Sequence, residues 1–256
     1  MSKVSKGDSM RWLSWQVRLG IVLVAATAAL YGLHYLIFGD LHHIFIYLLG
    51  DFAFVPLQVL IVTLIVEEFL RYRDKRARLE KLNMVIGAFF SEAGTGLLAY
   101  VSGFDPNLDR VRRDLVVRQG WTDKDFCDLS ARLKRYEYGV DIRRMDLERL
   151  RAMLTGDRGF MVRLLENPTL LEHETFTQLL RAVFHVTEEL ESRPGFDSLP
   201  ETDLAHLAND ITRAYSYLVA EWVDYMRYLK GNYPYLFSLA MRTNPFDPEA
   251  SPIVGK

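Results

Sequence analysis

Six histidines and the carboxylates beside them are the residues of this chain best placed to do chemistry. Three lie in an apolar N-terminal stretch, His34, His42 and His43, with Asp51 close by. The other three lie in the charged remainder: His173 after Glu172, His185 ahead of Glu188 and Glu189, and His206 between Asp203 and Asp210. Imidazole and carboxylate three or four residues apart share one face of a helix and can ligate a transition metal. Di-iron bundles use such pairs, as Glu-x-x-His motifs turned inward. Rotation by about 100° per residue puts His185 about 180° from Phe176, and His206 about 160° from Leu204, beside Asp210 and Arg213. Both positions fall off the apolar stripes of their helices. They therefore read as solvated faces, and neither a metal nor a cofactor is expected.

Other chemistries find less support. Gly94-Thr-Gly96 has no Gly-Lys-Ser/Thr after it and no strand before it, so it is not a phosphate loop. Neither Gly-x-Ser-x-Gly nor His-Glu-x-x-His occurs. The single cysteine, Cys127, has no nearby histidine and reads as a neutral thiol on an amphipathic helix. Net charge is -2, with no basic excess, so nucleic acid is not an expected partner. Asp141, Arg143, Arg144 and Asp146 are a mixed-charge run of the kind that forms weak surface ion pairs. No catalytic residue is assigned.

The elements that must position these residues fall into two regimes. Residues 19–66 carry only two formal charges, Asp40 and Asp51. Residues 19–39 and 44–66 are each long enough, at 1.5 Å per residue, to cross a hydrocarbon core. The short link between them makes an antiparallel hairpin, with residues 1–18 as a basic N-terminus. A cleaved signal peptide is disfavoured, because the apolar run is too long. Lys3, Lys6, Arg11 and Arg18 precede the hairpin, and Arg71, Arg73, Lys75, Arg76, Arg78 and Lys81 follow it. The connecting loop has no Lys or Arg, which places both termini in the cytoplasm of a prokaryotic plasma membrane. Trp12 and Trp15 suit the inner interface. The basic cluster after the hairpin is a candidate for lipid headgroup contact. Asp51 is costly in lipid, by about 3 kcal/mol on insertion scales, and needs a partner such as His34, Tyr31 or a loop amide. With His34, His42 and His43 it forms the candidate intramembrane polar site. A re-entrant helix over 42–49 turning at Gly50-Asp51-Phe52 is the less favoured arrangement.

Residues 70–103 read as a continuation of the second helix, basic at first and then apolar. Glu92 and the arginines beyond argue for a buried helix or an oligomer contact rather than a third span, with Gly87, Ala88, Gly94 and Gly96 permitting close approach. Residues 104–243 have helical period and form an all-α, bundle-like domain on the cytoplasmic side. Thr122 with Asp125 opens one helix. Asp141–Thr155 and Phe160–Glu166 are two more, the latter stopped by Asn167-Pro168. Two long antiparallel helices follow, one with Phe176, Leu179, Leu180, Val183, Thr187 and Leu190 on one face. The second opens with Ser198 as N-cap, Pro200 in its first turn and Glu201 reaching back, and carries Leu207, Ile211, Tyr215, Leu218, Trp222 and Met226. The aromatic run from Tyr225 to Phe237 folds back over the bundle end, and residues 244–256 are an irregular, frayed tail.

The stretches Ile44-Phe-Ile-Tyr-Leu-Leu-Gly-Asp-Phe-Ala-Phe54, 82–98 and Asn232-Tyr-Pro-Tyr-Leu-Phe-Ser-Leu-Ala-Met-Arg-Thr-Asn-Pro-Phe246 resemble an uncharacterised prokaryotic two-span membrane-protein family. The resemblance implies a plasma-membrane location and no particular activity. The expected function is a membrane-anchored helical module for protein interaction or self-assembly, with the bilayer and a second copy or another protein as partners. An ion-path subunit using Asp51 and a metal-dependent bundle enzyme are the alternatives.

Overall fold

Apolar patterning turns into helix over most of the described residues, and no strand occurs among them. The computed structural model describes residues 6–167, 170 and 173–254, with side-chain surroundings from Trp15 onward except at positions 16, 77 and 78. Lys3, Pro168 and Glu172, and the side chains of Lys6, Arg11, Trp12 and Arg78, lie outside that description. The chain divides into two units at Arg73 and Asp74.

In the first unit, α1 (Lys6–Phe38) meets the start of α2 (Leu41–Phe89) through a link of two residues. Gly39 supplies the reversal with φ +63°, a left-handed conformation that side chains resist. Asp40 then caps α2, its Oδ1 accepting from the N–H groups of His42 at 2.9 Å and His43 at 3.3 Å. No break occurs at Gly50-Asp51-Phe52 or at Pro56, so the re-entrant arrangement is not formed. Apolar residues 17–38 and the apolar part of α2 are long enough to cross a membrane. Of residues 17–70, only Tyr31, His34 and Ile44 are even half-buried, and the rest are exposed.

The second unit has a conventional core. Leu82, Ile86, Phe89 and Phe90 enter it from α2 and the π turn Phe90–Gly94, followed by Leu97, Leu98 and Val101 from α3 (Thr95–Ser102). This apolar stretch is therefore buried within its own unit. Phe89 meets Phe176 edge-on at 5.4 Å, and Phe90 stacks on Tyr225 at 5.1 Å. A methyl group on Gly94 would come within 2.6–2.9 Å of the Phe89 and Phe90 rings, so only glycine fits beneath them.

A short α4 (Arg112–Leu115) leads to α5 (Asp123–Leu133). The Thr122 and Asp125 capping box at its start is formed as expected, a device worth about 1 kcal/mol. The pair of helices expected over 141–155 and 160–166 is instead one, α6 (Leu147–Leu165), capped by Asp146. Gly156 and Gly159 do not interrupt it, since an isolated glycine costs a helix only about 1 kcal/mol.

α7 (Glu174–Glu191) and α8 (Glu201–Asn232) form the expected antiparallel pair, and α8 also packs against α3, α5 and α9 (Pro234–Arg242). Ser198 does not cap α8. Pro200 occupies the cap position without a side-chain hydrogen bond, its fixed φ already suited to the helix entry. Glu201 pairs with Arg143 at 2.5 Å instead of reaching back. The aromatic run folds back as expected: α9 buries Phe237 while Tyr235 stays exposed. The tail is irregular but its first part is not frayed. Asn244 Nδ2 donates to the Leu115 carbonyl, its Oδ1 accepts from Phe246 N–H, both at 2.9 Å, and Phe246 is buried edge-on against Trp222.

Candidate functional site

The apolar stripe of α7 and that of α8 close against each other, and this brings one flank of each helix into register. His185 and Glu189 stand one turn apart on α7, His206 and Asp210 one turn apart on α8. Because the helices are antiparallel, His185 comes to Asp210 and Glu189 to His206. His185 Nε2 lies 3.1 Å from Asp210 Oδ2, and His206 Nε2 lies 3.3 Å from the same oxygen. Glu189 completes the set, with Oε2 at 3.6 Å from His206 Nε2 and Oε1 at 3.9 Å from His185 Nε2. One donor atom from each of the four residues lies within 4.8 Å of all the others.

Two arginines hold the carboxylates from behind. Arg213 pairs with Asp210 Oδ1, leaving Oδ2 to face both imidazoles. Arg193 donates to Glu189 Oε2 at 2.8 Å and makes a forked pair with Asp203 at 2.8 and 2.6 Å. Its hydrogen bond holds the Glu189 carboxyl below the usual carboxylate range. Asp210 is buried, at 7% side-chain exposure, while the imidazoles of His185 and His206 are 43% and 51% exposed. The group thus has a fixed acidic floor and an open basic rim. Each histidine does lie off its own helix's core stripe, as rotation indicates. What single-helix rotation misses is that two such flanks face each other once the helices pair. The i, i+4 recurrence of a histidine and an acid on both helices was the available signal.

A second polar group lies further along the same helix pair. Glu221 on α8 is buried. Burial pushes its carboxyl up to about 7, the Thr175 hydroxyl offsetting part of that. His173 caps α7, Nδ1 accepting from Phe176 N–H at 3.2 Å, and burial lowers its affinity for a proton.

In the first unit, Thr27, Leu30, Tyr31 and His34 of α1 and Ile44, Tyr47 and Asp51 of α2 line a cleft of about 460 Å³. Asp51 and His34 thus share one cleft, with Tyr31 beside them. His42 and His43 do not line it. They sit at the Asp40 cap, where the His43 ring packs against Tyr47 at 5.1 Å. Of the basic residues, Arg71 pairs with Glu68, and Arg73, Lys75, Arg76 and Lys81 are exposed.

An apolar helical hairpin followed by a charged helical unit defines a two-part, all-helical class of protein. The chain belongs to the MJ1433 helical-domain family: residues 9–70 match the model "MJ1433, N-terminal helical domain", and residues 78–242 match "Uncharacterized protein MJ1433, C-terminal helical domain". It is 44% identical over 229 residues to "Uncharacterized protein MJ1433" of Methanocaldococcus jannaschii, covering 90% of this chain and 92% of that one. No solved structure gives a significant match.

Proposed function

We propose that this protein is a membrane-anchored helical module whose hairpin lies in a prokaryotic plasma membrane and whose second unit meets a partner protein or another copy of itself in the cytoplasm. The exposure of the hairpin carries this reading. Almost every apolar side chain of residues 17–66 is bare, over lengths that match a hydrocarbon core. Exposed apolar surface on that scale needs a covering medium, and lipid is the one whose thickness fits. The basic residues flank the two helices on one side only, which favours cytoplasmic termini.

Alkaline carbonate washing of native vesicles tests the anchor, and accessibility of tags at the two ends tests the topology. Retention in the pellet, with both tags on the cytoplasmic face, is the expected result. Extraction by carbonate, or tags on opposite faces, refutes it. The native mass in mild detergent, with identification of co-purifying chains, then separates self-assembly from a different partner.

The cleft at Asp51 favours a second reading, an ion-conducting subunit. Carboxylate, imidazole and phenol groups converge there in a segment that otherwise presents hydrocarbon. Under that reading Asp51→Asn abolishes bilayer current from the reconstituted protein. Under the anchor reading there is no specific current to abolish.

A further inference from the structure

The geometry points to a binding site for one first-row divalent cation, of the zinc class, held between α7 and α8 by His185 and His206 through Nε2 and by one carboxylate oxygen each from Glu189 and Asp210. Zinc bonds to nitrogen and oxygen of about 2.0–2.1 Å set the edges of a coordination tetrahedron at about 3.3 Å. Asp210 Oδ2 lies 3.1 and 3.3 Å from the two histidine nitrogens; Glu189 meets His206 through Oε2 at 3.6 Å and His185 through Oε1 at 3.9 Å, and with one donor atom per residue all four lie within 4.8 Å of one another. A cation at the centre therefore needs the Glu189 carboxylate to turn one oxygen toward both imidazoles and the widest separation to close by up to about 1.5 Å, a range that side-chain rotation covers.

The donor chemistry narrows the cation. Two imidazoles with two carboxylates suit zinc and its neighbours, while calcium and magnesium prefer sites made of oxygen alone. The surroundings also fit. Metal-binding carboxylates are commonly oriented by further hydrogen bonds, and here Arg213 and Arg193 each take an oxygen of one acid. That fixes Asp210 Oδ2 on the imidazole side. The half-exposed histidines leave a path from solvent to the site.

The proposed site is independent of the membrane anchor and is tested separately from it. The full chain, purified in mild detergent and stripped with a chelator, is titrated with zinc by calorimetry and with cobalt(II) by visible absorption. One equivalent bound per chain, with an intense four-coordinate cobalt spectrum, is expected. His185→Gln and His206→Gln change exposed groups, and far-UV circular dichroism verifies that the variants fold. Each should weaken zinc by more than about 100-fold, since loss of a supporting group alone costs about 10–100-fold. Arg213→Gln should fall in that smaller range, and Glu188→Gln, outside the cluster, should leave binding unchanged. No binding by the wild-type chain overturns the proposal. So does binding that survives both histidine substitutions, which would mark adventitious capture elsewhere, for example at His42 and His43.

Discussion

Replacing Glu221 by glutamine should stabilise the protein, and by an amount that depends on pH. The carboxyl is buried among α7 and α8, and its pKa rises from the ordinary 4.5 to about 7 because ionisation there lacks solvent. A tenfold change in proton affinity is worth about 1.4 kcal/mol, so the ionised form carries a penalty of about 3 kcal/mol relative to the unfolded chain. Below about pH 4.5 the acid is neutral in both states, and the penalty vanishes. Between about 4.5 and 7 the native state holds more protons than the unfolded one, so wild-type stability falls as pH rises through that window. Above about 7 the full penalty applies. Glutamine keeps the shape but never ionises. Thermal unfolding of the full chain in detergent, followed by tryptophan fluorescence, should show variant and wild type melting together at pH 4. At pH 8 the variant should melt higher by roughly 6–12 °C, taking about 2–4 °C per kcal/mol for a domain of this size. An offset that does not change with pH would refute the reasoning, as would a variant less stable at every pH. Either result would mean that the carboxylate is compensated by a partner.

Further substitutions test the packing. Gly94→Ala should destabilise the second unit by about 1–3 kcal/mol despite alanine's better helix propensity, because the new methyl group drives into the Phe89 and Phe90 rings. A lowered midpoint in thermal unfolding checks it. Phe246→Ala should cost about 3–5 kcal/mol, a core-sized loss from a segment near the chain's end, read as a change in unfolding midpoint. Thr122→Ala should cost about 1 kcal/mol and loosen α5 locally, visible as faster amide exchange at Asp125.

Local signals in the sequence predicted local structure well. The Thr122–Asp125 box, the stripes of α7 and α8, and the apolar lengths of the hairpin helices all follow from spacing within one element. Boundaries failed where two signals competed. Ser198 lost the cap to Pro200, and Gly156 and Gly159 were absorbed into α6 because packing on α7 outweighs their propensity. The anchoring of the tail is not legible in the sequence, because nothing near Asn244 announces the Leu115 carbonyl that holds it. The α7–α8 cluster shows the same limit for function. The sequence names all four residues but reads their faces as solvated, whereas Asp210 is buried, because rotation about one helix axis carries no information about which flank of a neighbour it will face. In the hairpin, sequence spacing offers Asp51 a choice of His34, Tyr31 or a loop amide across a link of residues 39–43; the two-residue turn seen in the structure sets the register that places Asp51 in one cleft with His34 and Tyr31.

The π turn at Phe90–Gly94 has a consequence for how this family can vary. Hydrogen bonds from i to i+5 accommodate close to one residue more per turn than the ordinary α ladder. The turn therefore behaves as a single-residue insertion housed inside a helix, with Phe89 upstream and Leu97 downstream both still aimed at the core. Loss of one residue here can be met by reversion to α geometry with the flanking registers kept. A deletion of the same size a few turns away would rotate every later core side chain by about 100°. Within the stretch from α2 into α3, a one-residue change in length is thus better accommodated at this turn than in the flanking helix.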